Sequence, residues 1–84
     1  MTQATIEALD HRMMAAQERY GPFASTHEAL GVACEEFDEL KAAIYSNNLF
    51  GSNGVLFECL DLAAVLIRLA ESLDNPDVQK RSVK

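Results

Sequence analysis

The segment Val55–Leu73 constrains this chain more than any other. It holds Val55, Leu56, Phe57, Leu60, Leu62, Val65, Leu66, Ile67, Leu69 and Leu73, yet Glu58, Asp61, Arg68 and Glu71 are set among them. A helix apolar on nearly every side is a buried centre or a membrane span. Ten apolar residues at about −0.3 to −0.6 kcal/mol each do not offset central charges costing about 2.5–3.5 kcal/mol apiece, so a membrane span is excluded. The remaining expectation is the central helix of an all-α bundle, with carboxylates inside it that need partners.

Two more helices are legible. Ile6, Leu9, Met13, Ala16 and Tyr20 follow helical spacing, and Gly21-Pro22 stops that helix. Ser25-Thr26-His27-Glu28 has the form of a capping box opening a second helix, from about Thr26 to Tyr45, with Leu30, Ala33, Phe37, Leu40 and Ile44 as its expected apolar stripe. Residues 46–54 are a loop by composition, and Asp74-Asn75-Pro76 ends the third helix. The tail from Asp77 is compatible with a short fourth helix or with fraying. Residues 1–84 therefore read as a single helical domain.

A monomer of this mass buries roughly 60–65% of its unfolded surface, which is marginal, yet 49% of the residues here are hydrophobic. Burial scales unfavourably at that size, so dimerisation is expected to complete the bundle. Cys34 and Cys59 make no disulfide framework and no zinc spacing. No secretory pattern opens the sequence, so two reduced, buried thiols in a cytoplasmic protein are expected.

The net charge of −6 is local: Glu28 to Asp61 contains seven acids and one base, and the remainder balances. That sign opposes binding to nucleic-acid polymers and to anionic membrane surfaces. Glu36 and Glu39 in the second helix, and Glu58 and Asp61 in the third, are each three residues apart and so share a face within one turn. In an antiparallel hairpin, facing positions have a constant residue-number sum. Glu36 with Asp61 and Glu39 with Glu58 have the same sum, within one helical turn of that set by a loop centred on Phe50. All four acids can meet at one level.

Two carboxylates about 5 Å apart repel by roughly 3 kcal/mol at an effective dielectric of 20. Arg68, on the same stripe as Asp61, can pair one acid but not four. A hard divalent cation removes the repulsion, and oxygen ligands select Mg²⁺, Mn²⁺ or Ca²⁺ over zinc. Di-iron Glu-x-x-His motifs and EF-hand spacing are absent, and His11 and His27 read as surface or packing residues.

Glu35-Glu36-x-x-Glu39 followed by Glu58-x-x-Asp61, in a helix–loop–helix over about Ser25 to Leu73, resembles the MazG-like all-α nucleoside triphosphate pyrophosphohydrolases. Tyr20-Gly21-Pro22-Phe23 is similar to the approach in short stand-alone members. The resemblance implies a homodimer or homotetramer, and Mg²⁺ (or Mn²⁺) on Glu36, Glu39, Glu58 and Asp61. It also implies hydrolysis of a nucleoside triphosphate at the α–β anhydride to a monophosphate and pyrophosphate. Glu35 matches a further glutamate of the first motif that would orient or deprotonate water. Family members carry more basic residues after the second motif, where this sequence offers Arg68, Lys80, Arg81 and Lys84. That scarcity keeps open a catalytically weak metal- or nucleotide-binding module of the same fold. The phosphoribosyl-ATP branch carries a tyrosine-histidine pair where this chain has Leu62-Ala63-Ala64-Val65, so that branch ranks lower.

Overall fold

A computed structural model describes residues 1–74 as three helices, α1 (Gln3–Tyr20), α2 (Thr26–Tyr45) and α3 (Val55–Ser72), with no strand among them. The all-α expectation therefore holds. The proposed fourth element lies outside the described residues, as do Lys80 and Arg81.

Each helix boundary has a local cause. The Thr2 hydroxyl accepts from the Thr5 amide and opens α1. At its far end Gly21 adopts φ +71°, a left-handed conformation that glycine reaches without steric cost, and its amide donates to the Gln17 carbonyl. The Ser25 hydroxyl accepts from the Glu28 amide at 3.1 Å, as the capping box requires. Glu28 reaches back one residue further than expected, accepting from the Ala24 amide at 3.0 Å.

The 46–54 loop is ordered from within. Asn47 and Asn53 occupy the left-handed region, and the Asn48 side chain accepts from the Gly51 amide and donates to the Ser52 carbonyl. No side chain caps α3. Its first amides, on Val55 and Leu56, donate instead to the carbonyls of Asn48 and Leu49. Gly54 is wedged here: a Cβ would meet the Gly51 carbonyl oxygen at 2.8 Å and that of Asn48 at 2.9 Å.

The loop folds α3 back antiparallel to α2. Helix α1 runs in the same sense as α3, because Arg12 meets Asp61 and Gly21 meets Arg68 further along both helices. Contacts of α3 with α2 and with α1 dominate the packing, so α3 is the central helix, as its composition required. Phe23, Ala29 and Val65, with Val32, Ala33 and Leu69 against them, form a small core at the end of the hairpin away from the loop.

Inside and outside differ from the sequence expectation. Helix α2 turns Ala29, Ala43 and half-buried Val32, Ala33, Glu36 and Leu40 inward, while Leu30, Phe37 and Ile44 are exposed. Helix α3 buries Glu58, Ala64, Val65 and Arg68 and exposes Leu56, Phe57 and Leu66. Helix α2 is apolar on two sides. The small residues face the hairpin partner because they let the two backbones approach closely, which leaves the larger ridge outside. Cys34 and Cys59 are exposed rather than buried, since both lie on the outward side of their helices.

Candidate metal centre

The hairpin brings the expected carboxylates together. One oxygen each from Glu36, Glu58 and Asp61 lies within 4.8 Å of the other two. Glu58 is the most secluded, only 3% exposed, in the first turn of α3. Oε2 of Glu36 and Oε2 of Glu58 are buried without a hydrogen-bond partner. Glu39 stands at the edge of this trio, more exposed, with its carboxyl within hydrogen-bonding reach of both glutamates. Three of the four acids therefore converge, and the fourth flanks them.

Crowding shows in their protonation. Burial first, then the charges of Glu39, Asp61 and Glu58 and a hydrogen bond with Glu39, push the Glu36 carboxyl up to about 7. Glu58 is likewise held above the usual carboxylate range, by burial first, then by hydrogen bonding and charge from Glu39 and by the charge of Asp61.

The donor set fits a hard cation. Three carboxylate oxygens within 4.8 Å of one another are an all-oxygen donor set of the kind that hard divalent cations take. The two orphaned glutamate oxygens are unsatisfied acceptors that such an ion would occupy.

Beside the trio opens a cleft of about 990 Å³ between α1 and α2, floored by α3. Its carboxylate end carries Glu35, Glu36 and Asp61, and its walls include Arg12, Arg68 and Phe23. Glu35 faces this space from an exposed position, and no hydrogen bond fixes its side chain among the described residues.

Arg68 does not pair with an acid of the cluster. It is 9% exposed, stacks over the Phe23 ring at 4.5 Å, and donates from Nη2 to the Gly21 carbonyl at 2.8 Å. Its Nε is buried without a partner. The ion pair to the cluster comes from Arg12 on α1, whose Nε donates to Asp61 Oδ1 at 2.9 Å. Sequence reasoning missed Arg12. Its only signal was a position three residues after Leu9, on the inward side of the first helix.

No family model matches this chain, and neither a curated protein nor a solved structure matches it. Among the described residues, no helix is long and apolar enough to cross a membrane.

Proposed function

We propose that this chain is a Mg²⁺-dependent nucleoside triphosphate pyrophosphohydrolase of the MazG-like kind, acting on soluble nucleotides in the cytoplasm. The observation that carries this reading is the trio of Glu36, Glu58 and Asp61, two of them with buried and unpartnered oxygens, beside a cleft of about 990 Å³. Its ExxE and ExxD spacing on an antiparallel hairpin supports the family assignment.

Glu36, Glu58 and Asp61 would hold the ion, with Glu39 close enough to join them or to hydrogen-bond them. Mg²⁺ bound there supplies positive charge against the phosphates and acidifies water near the α–β anhydride. Glu35 orients that water or takes its proton as the oxygen bonds to the α-phosphorus. The bond to the β-phosphate breaks, and pyrophosphate leaves. Arg68, packed on the Phe23 ring and bonded to the Gly21 carbonyl, lines the same cleft and would donate to an acceptor atom further along it. On α3 it is seven residues from Asp61, about 10 Å along the axis and on nearly the same face. Lys80 and Arg81 are further candidates for phosphate binding.

Self-association completes the proposal. Leu30, Phe37 and Ile44 recur every seven residues along the exposed side of α2, and Leu56 and Leu66 stand exposed on α3. Such ridges match the seam of a helical bundle, and a second copy of the same hairpin would cover them, giving a homodimer or, by repetition, a homotetramer.

The test is pyrophosphate release from a panel of ribo- and deoxyribonucleoside triphosphates with Mg²⁺ or Mn²⁺. Turnover that vanishes in Glu58→Gln is expected. Folded protein that binds the metal but turns over no nucleotide would leave the second reading, a binding module without catalysis. That reading is favoured by one observation, the unanchored Glu35 side chain.

A further inference from the structure

Arg12 sits directly against the proposed metal site. It comes from α1, whereas the three carboxylates come from α2 and α3. Its Nε donates to Asp61 Oδ1 at 2.9 Å, and this is the one ion pair that Glu36, Glu58 or Asp61 makes among the described residues. Its remaining contacts are weaker. Nη1 lies 3.4 Å from the Ala8 carbonyl, and the guanidinium stands over the Phe57 ring at 5.2 Å. The side chain also lines the cleft.

A guanidinium and a divalent cation repel each other across a shared carboxylate, and both draw on the same negative charge. We propose that Arg12 is the resident counter-cation of the metal-free cluster, and that a divalent ion loads by displacing it from Asp61. The inference rests on the metal-site reading and adds to it a regulation of loading. Once displaced, the guanidinium keeps the Phe57 face as a pivot and turns toward the cleft. An anion such as phosphate is the natural new partner there, since a guanidinium matches its oxygens in pairs. Metal and phosphate binding thereby become linked, each favouring the state that suits the other.

Two measurements on the purified protein test this. Mn²⁺ titration followed by electron paramagnetic resonance, without nucleotide, compares the wild type with Arg12→Gln. The variant should bind Mn²⁺ about tenfold more tightly, because no resident cation must leave. Equal or weaker binding by a folded variant would overturn the exchange and leave the metal site standing. Absence of Mn²⁺ binding in both proteins would instead sink the metal reading, and the exchange with it.

The second measurement needs no variant. The assigned Arg12 Nε–Hε nuclear magnetic resonance signal of the wild type should lose its protection from solvent exchange when Mg²⁺ is added. Inorganic phosphate should perturb it further only when Mg²⁺ is present. A signal that keeps its protection under saturating Mg²⁺ shows that Arg12 stays on Asp61, against the proposal.

Discussion

Glu36 has an ordinary carboxyl value of 4.5 and is raised to about 7 in the fold. A group whose pKa rises on folding favours the native state while protonated. That contribution is complete below the unfolded value and is lost as pH climbs through the folded one. Metal-free protein should therefore lose thermal stability between about pH 5 and pH 8. Glu36→Gln should flatten this dependence in melts recorded across the range. Divalent cations reverse the logic, because a ligand must be deprotonated to bind, so Mg²⁺ stabilisation should grow over the same window. Glu58, buried among like charges, predicts a paired outcome. Glu58→Gln removes the repulsion and should raise the metal-free Tm by several degrees, about 4–8 °C for each kcal/mol in a domain of this size. The same variant should show no Mg²⁺-dependent shift, and a shift as large as the wild type's would exclude Glu58 as a ligand.

At the scale of the element, the loop that reverses α2 into α3 sets the register of the carboxylates. Its carbonyls cap α3, and they do so through the space where a side chain on Gly54 would sit. Gly54→Ala must move the Asn48 and Gly51 carbonyls, and should cost about 1–3 kcal/mol in chemical denaturation, in the range of other overpacking changes. Because Glu58 lies one turn from Gly54, with its amide bonded to the Gly54 carbonyl at 2.9 Å, the same change should weaken metal binding. A variant with wild-type stability and metal affinity would show that the loop tolerates the displacement without transmitting it.

At the scale of the whole molecule, the hairpin departs from an ordinary amphipathic pair around the carboxylates. Its interior holds small residues, three acids and an arginine, while Leu30, Phe37, Ile44, Leu56 and Leu66 face out. Exposed apolar residues along two adjacent helices are the observation on which the proposed self-association rests. Phe37→Glu, placed at the middle of the α2 ridge and half exposed, should shift the protein to monomer in sedimentation velocity. If the wild type is itself monomeric at micromolar concentration, the ridges serve some other partner and the homo-oligomer proposal falls.

Local chemistry along the chain is enough to set the three helices and the stops between them. Capping, glycine–proline breaks and an asparagine-rich loop act over a few residues and need no tertiary context. The sequence also placed Glu36, Glu58 and Asp61 at one level, because a hairpin of two regular helices leaves register as nearly the only free variable. Which ridge of α2 faces inward was decided only in three dimensions. Periodicity reports that a helix has an apolar side but does not rank two such sides, and the close approach of backbones favours Ala29, Ala33 and Ala43 over the larger Leu30 and Phe37. The partners of the two arginines were decided there as well. The separation of Arg12 from Asp61 and of Arg68 from Gly21 in the chain reflects how α1 lies along α3, and no local pattern encodes that placement.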